Sequence, residues 1–474
     1  MKGPKQVGPF WAIAAFVHFL CVHPADAAER GNYGGTLRIA FTGPEAQAEP
    51  SLADAPADAA LFQTSFQGLC RLQSADKLQP VLATEMEQTG ARTWRISLVE
   101  GARIRSAGGL TARHVAQSWA RLSQQGTLSP YRALLYPLRG EGRQLEGAIL
   151  SSSMIELSTA FAWPDLPASL CHPALAIAVP IAGGGAVGLG PFTATSRGDV
   201  LEENLSFPLG RPYLDRLKIV FANGRRALRL LSLAQVDLVL GEAEKTNLIR
   251  SPLELYATYL AFKAERTGAD FRGDFEGAVD RAQLTQFFAP TASVPMFNLL
   301  PPALMPQSAT TATRASAASK RRAAPPLTLL YDQALPEQRL VAERIQVRLH
   351  DLGYRIVLKP VSRSELRKRW ALGQFDLMLH AVLMPPLPAP ALALAIELAG
   401  KHELLASELP RIGAEAEAAV RELKVRERAL ALAAQLPLIP LYAQSAVLSA
   451  SPRWYLPFDG QGLPRFDDAY AVGE

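Results

Sequence analysis

The sequence predicts an α/β protein built from more than one domain. Three observations predict it: a length of 474 residues, alternating strand and helix patterns from Leu327 to Leu379, and a low-complexity break at 306–326 between two patterned regions. A chain this long exceeds one ordinary hydrophobic core and fits two or three. Hydrophobic residues make up 49% and charged residues 20%, which is globular composition. Basic and acidic residues (49 against 44) are interspersed along the chain, so the net charge of +5 forms no nucleic-acid footprint. The one basic cluster, Lys320-Arg321-Arg322, lies inside the low-complexity break.

The N-terminus reads as an export signal. Lys2 and Lys5 precede an apolar run from Pro9 to Val22, and Ala25-Asp26-Ala27 gives a small-x-small cleavage pattern. The mature chain is expected to begin at Ala28, with 1–27 as signal peptide. The apolar run falls short of the roughly 20 residues a membrane span needs. Cys21 follows Leu20, where a lipoprotein signal needs a small residue. Export leaves Cys70 and Cys171 in an oxidising compartment, where they either pair or stay as two buried free thiols.

Thr36 to Phe41 follows a Gly-Gly turn and reads as a first strand. Ala59 to Leu69 has helical periodicity, and Trp94 to Val99 alternates as a strand does. Thr111 caps a helix to about Leu122, with Val115, Trp119 and Leu122 on one face. Met154 to Ser158 is a short strand. Leu166 to Ile177 mixes helix and turn signals. Gly183, Gly185 and Gly188 match the spacing of a dinucleotide fingerprint, but Gly190-Pro191 and a β-rich continuation follow where a helix is required. Leu217 to Phe221 and Val236 to Val239 read as strands.

The segment 306–326 has almost nothing to bury and reads as a connector. Beyond it, Leu327 to Tyr331 is a strand and Pro336 opens a helix. Val341, Ile345, Leu349 and Leu352 share one face of that helix, and Gly353 stops it. Tyr354 to Leu358 is the next strand, Ser362 and Glu365 box the start of a short helix, and Phe375 to Leu379 is a third strand. Alternation of this kind implies a parallel sheet with right-handed crossovers. Ala414 to Gln435 is a long helix, and Leu438 to Tyr442 is extended.

Enzyme signatures do not emerge. The five histidines after position 27 are His114, His172, His350, His380 and His402; none lies in HExxH spacing. No GxSxG elbow is present. No cofactor and no metal site is expected, and an exported hydrolase ranks below a binding protein.

Several short segments occur in an order that resembles the family 5 (peptide/nickel/oligopeptide type) extracytoplasmic solute-binding proteins of ABC importers. They are Gly34-Gly35-Thr36-Leu37-Arg38-Ile39-Ala40, Glu49-Pro50-Ser51-Leu52-Ala53, Phe66-Gln67-Gly68-Leu69, Leu78-Gln79-Pro80-Val81-Leu82-Ala83 and Leu110-Thr111-Ala112-Arg113-His114-Val115. Gly190-Pro191-Phe192, Gly210 to Arg216, Phe275 to Arg281 and Ala434 to Tyr442 extend the likeness. It implies a two-lobed periplasmic-binding-protein fold, type II-like, whose larger lobe carries an extra subdomain and whose ligand cleft lies between lobes. On that reading residues 28–265 form the main lobe, with the extra subdomain at about 70–185. Residues 266–436 form the second α/β lobe, and 437–474 return to the main lobe.

The resemblance implies a soluble periplasmic monomer that hands a small-molecule or peptide solute to an inner-membrane ABC permease. A non-transport relative using the fold for sensing, chaperoning or partner contact is the alternative. Phe41, Thr42, Phe262, Lys263, His380 and Tyr442 are the expected ligand-lining residues, because they end strands or sit where the chain crosses between lobes. The chain departs from its relatives at Arg113-His114, where acidic residues are usual, and at Ala107-Gly108, where Asp-Gly is usual. Ala389 stands where peptide binders carry an aspartate for the ligand's amino group, and no tryptophan follows the third second-lobe strand. A buried ammonium without a carboxylate is costly, so that anchor is expected to be lost.

Overall fold

A computed structural model describes residues 32–43, 49–74, 77–105, 108–124, 127–139, 147–181, 185–195, 198–243, 248–305 and 325–472. The expected signal peptide, Cys21, Gly183, the basic cluster and nearly all of the connector lie outside these residues.

The architecture rests on one sheet of eleven strands. In chain order they are β1 (Thr36–Phe41), β2 (Phe192–Ala194), β3 (Val200–Glu203), β4 (Arg216–Phe221), β5 (Leu238–Leu240) and β6 (Leu248–Phe262). β7 (Ser293–Pro295), β8 (Leu327–Asp332), β9 (Ile356–Val361), β10 (Leu377–Leu383) and β11 (Leu438–Ala450) follow. Their spatial order is β2-β3-β4-β1-β5-β11-β6-β10-β8-β9, with β7 beside β11. The first lobe centres on β4, β1 and β5, which are parallel. The second centres on β10, β8 and β9, also parallel. Between them run the two longest strands, β6 of 15 residues and β11 of 13, antiparallel to each other. β11 pairs β5 of the first lobe and β6 pairs β10 of the second, so these two strands carry the sheet from lobe to lobe.

The second lobe follows its sequence pattern closely. Helix α3 (Pro336–His350) has proline at its first turn and buries Val341, Ala342, Ile345 and Leu349 against β8 and β9. Gly353 follows at φ +93°, a conformation that costs glycine nothing. Helix α4 (Arg363–Ala371) starts where the Ser362 hydroxyl accepts from the Glu365 amide at 3.3 Å.

A second, four-stranded antiparallel sheet joins Ala83–Gly90, Thr93–Leu98, Met154–Ser158 and Gly147–Ser151. Helix α2 (Ala112–Ser123) packs beside it, and its cap differs in chemistry from the usual one. His114 Nδ1 accepts from the Thr111 amide at 3.2 Å, doing the work a glutamate does in a capping box. Cys70 and Cys171 form a disulfide across 101 residues, with Cα atoms 4.8 Å apart. Helix α5 (Pro388–Leu398) is buried over its whole length, and α6 (Ala418–Ala433) packs against it. Among the described residues no helix is long and apolar enough to cross a membrane.

Candidate functional site

Parallel strands fix where chemistry gathers. In open α/β sheets, ligands bind beyond the carboxyl ends of the strands. Here the carboxyl ends of β1 and β5 in one lobe, and of β8, β9 and β10 in the other, carry the residues at which the lobes meet. Thr42 and Glu242 follow β1 and β5; Asp332 ends β8; Arg363 follows β9. Helix α1 (Pro56–Ser65) adds Asp58 in its first turn, and Asp54 precedes it.

Ion pairs join the lobes at this seam. Arg363 bonds Asp58 of the first lobe and, at 2.8 Å, Asp332 of its own. Arg367, one turn along α4, holds Asp54 at 2.7 Å and also donates to the Leu52 carbonyl. All of these charged side chains are nearly buried; Arg363 is 11% exposed and Asp332 3%. The local reason is periodicity. Residues four apart share a helix face, so Arg363 and Arg367 point the same way, towards carboxylates that are also four apart in sequence. Arginine at a helix N-terminus opposes the macrodipole, whereas Asp58 and Asp332 beside that end are favoured by it. A tight backbone approach completes the arrangement: a Cβ on Gly43 would stand 2.9 Å from Asp58 Oδ1.

Backbone and ring contacts close the base of the seam. The Leu383 amide donates to the Asp54 carbonyl at 2.8 Å. The Tyr131 hydroxyl lies 3.2 Å from the Leu383 carbonyl and 3.4 Å from that of Ala53, and the His172 ring stacks 4.7 Å away. Further along, Arg132 pairs Glu397 of α5, and Arg421 of α6 pairs Asp165 at 2.8 Å.

The electrostatics favour charge on the arginine. Burial pulls the Arg363 guanidinium down, but Asp58 and Asp332 outweigh it and hold the group above its ordinary value. Among the described residues, two carboxylates at the seam, Glu242 and Glu337, form no ion pair with a basic side chain. Burial, with the negative charges of Glu242 and Asp332, pushes Glu337 up to about 7. Burial also raises Glu242, which stands on the opposite lobe. Burial lowers His380 to about 4 and His172 to about 3, so both rings are neutral. No group of three or more potential metal ligands occurs among the described residues.

The six expected ligand-lining residues do not form one site. Phe41 is buried in the first-lobe core, edge-on to Phe221 at 5.8 Å. Thr42 bonds the Leu240 carbonyl beside the seam. Phe262 faces Leu377, the first residue of β10, at the end of the second lobe remote from the seam. Lys263 follows it there, 5.0 Å over the Phe375 ring, in an open depression with Lys359 and Asp376. Tyr442 is buried in the second-lobe core and bonded to Thr258. His380 is buried edge-on to Trp370, within the influence of Asp54 and Arg367. Thr42 and His380 therefore flank the seam, Phe41 and Tyr442 border it from buried core positions, Tyr442 within the influence of Glu337, and Phe262 and Lys263 lie away from it. Ala389 is buried at the start of α5. Sequence reading missed Asp54, Asp58, Asp332, Arg363 and Arg367; the one available signal is the matched four-residue spacing of two acids and two arginines.

Two α/β lobes threaded by a pair of crossing strands, with strand carboxyl ends meeting between them, define a two-lobed binding protein. The chain belongs to the bacterial extracellular solute-binding proteins, family 5, whose middle-region model matches residues 77–397. The uncharacterized protein YhjP of Bacillus subtilis (strain 168) is 33% identical over 148 residues, a match spanning 30% of this chain and 24% of that protein's length. Among solved structures, the ABC transporter-associated periplasmic binding protein DppA from Helicobacter pylori, in complex with peptide STSA, aligns at TM-score 0.76 and 14% identity. That alignment covers 93% of this chain and 99% of DppA. The murein tripeptide binding protein MppA of Escherichia coli aligns at TM-score 0.76 and 16% identity over 94% of this chain and all of its own. An unliganded open form of MppA aligns at only 0.63, with the same 16% identity and 94% coverage of this chain and 99% of its own. At these identities the likeness is one of fold.

Proposed function

We propose that the chain is the solute-binding component of an ABC import system. It works in the periplasm after export, as a monomer, and delivers a peptide-like or other small solute to an inner-membrane permease. The observation that carries this reading is the seam. Strand carboxyl ends from both lobes converge on it, and it holds Asp58, Glu242, Asp332, Glu337 and Arg363. Closure of two lobes around a ligand is the hinge motion of periplasmic binding proteins. Family membership favours binding over catalysis. The reading places the ligand among seam residues, with Thr42 and His380 at its flanks. On this reading the first lobe runs to about residue 265, the second spans 266–436, and the C-terminal segment returns to the first, a division supported by the pairing of β11 with β5.

A thermal-shift and calorimetry panel of di- to pentapeptides, their N-acetylated forms, sugars and nickel chelates tests it. A cognate solute at 100 times its dissociation constant stabilises the native state by about 2.7 kcal/mol. With alanine at 389, N-acetylated peptides are expected to bind no more weakly than free-amino ones. Tight binding confined to free-amino peptides refutes the lost anchor. Failure of every solute favours the second reading, a non-transport relative. One observation supports that alternative: the chain's own Arg363 and Arg367 occupy the seam.

A further inference from the structure

We propose that Arg363 and Arg367 form a built-in latch that holds the two lobes closed without a solute. The observation is the direction of the ion pairs. Arg363 reaches from the second lobe to Asp58 of the first, and Arg367 reaches likewise to Asp54. Both guanidiniums come from one short helix, α4, and both acids from one short stretch of the first lobe. The pairs are therefore made or broken together, by one rigid displacement of α4. Asp332 grips Arg363 from within its own lobe at 2.8 Å and fixes where its guanidinium points. Such pre-orientation lowers the ordering cost of closure, because the guanidinium fork need not be immobilised anew.

Burial makes the device two-state. A half-open seam would strip water from Asp54, Asp58 and the two arginines before their partners arrive, and uncompensated buried charge is strongly unfavourable. Closed and fully hydrated arrangements are the two that satisfy all four groups. The lobe arrangement here is also nearer one MppA structure, at TM-score 0.76, than the unliganded open form, at 0.63. A solute entering this seam must either fit beside the two arginines or displace them from their acids.

Small-angle X-ray scattering on the whole exported protein tests this. Any carried solute is first removed by unfolding in guanidinium chloride, dialysis and refolding. Wild type is expected to scatter as the closed structure, and R363Q/R367Q to shift to a larger radius of gyration. Circular dichroism checks that the variant is folded. If it is not, the charge swap carries the test: D54R and R367D each expand the molecule, and D54R/R367D together return it to the wild-type radius. Stripped wild type that is already expanded, or single variants that stay compact, overturns the latch. The solute panel is read separately. A latched protein that binds nothing keeps the latch and removes the import reading. A protein open until solute is added does the reverse.

Discussion

The second lobe carries an arginine–aspartate pair at each end of its sheet, and the two are alike in length but not in surroundings. At the inner end Arg363 stands 2.8 Å from Asp332, with side chains 11% and 3% exposed. At the outer end Arg266 stands 2.7 Å from Asp376, with side chains 50% and 16% exposed. Distance does not separate them; water does. An exposed pair gains little over its hydrated parts, whereas a buried one leaves a stranded charge when either partner is removed. The inner pair also reaches a second acid on the other lobe, so it acts on lobe arrangement as well as on local order. The outer pair ties Arg266, just beyond β6, to the residue before β10, and stays within its own lobe.

The largest effect is expected at Arg363. In R363Q, Asp58 and Asp332 face each other without a cation between them. Breaking a buried pair from one side costs about 3–5 kcal/mol while the groups stay buried. Parting of the lobes hydrates both acids and caps that loss. Denaturant melts should therefore show R363Q markedly destabilised, and D58N/R363Q less so than R363Q alone. An interaction energy above about 1 kcal/mol in this double-mutant cycle is the expected reading. Strict additivity of the two substitutions would mean that the inner pair behaves like the outer one.

His380 extends the contrast to a group with no charge at neutral pH. Burial lowers it to about 4, with Asp54 opposing and Arg367 assisting. An unfolded histidine titrates near 6.5, so the stability owed to the neutral buried ring is present above that pH. It is lost as pH falls from about 6.5 towards 4. At pH 5 the loss is about 2 kcal/mol. Glu337 at about 7 and Asp459 at about 6, both raised by burial, work in the opposite direction. The histidine contribution is therefore read as a difference between proteins. The stability gap between wild type and H380Q should narrow by about 2 kcal/mol from pH 7 to pH 5. A gap that stays constant would mean the ring is reached by water.

What the sequence disclosed follows the same division. Local order was legible. The spacing of Val341, Ile345 and Leu349 marks one helix face, Pro336 marks its start, and both describe α3 as it stands. Thr111 caps α2 as its pattern implies. The crossing strands were visible only as fragments. β6 carries Pro252 and irregular pairing between Arg250 and Glu254, which interrupt the alternation that marks a strand. Hence Phe41, Phe262 and Tyr442 read as strand ends open to a ligand, though the threading of β6 and β11 encloses them in core. The seam was hidden for a different reason. Asp54 and Arg367 are 313 residues apart, and no periodicity reports contact over that distance.

The smallest effect is expected at the outer pair, and it is the control for the rest. Burial pushes the Asp376 carboxyl up, but hydrogen bonds from Arg266 and from the Thr328 amide outweigh it and hold the group below its ordinary value. A carboxylate lowered in this way contributes stability above its unfolded pKa and loses it as pH falls through the folded one. R266Q removes one of the two donors and leaves the Thr328 amide. The Asp376 titration, followed by carboxyl-carbon NMR, should then move upward towards the usual carboxylate range, and the stability lost to acid through this group should become smaller. The denaturant midpoint at pH 7 should fall only slightly and the radius of gyration should stay at the wild-type value, because the half-exposed pair is worth little, its loss leaves no charge stranded, and it holds nothing across the seam. An R266Q protein that expands as R363Q/R367Q is expected to would show that lobe closure responds to any lost charge pair in this lobe, and the distinction between its two ends would fail.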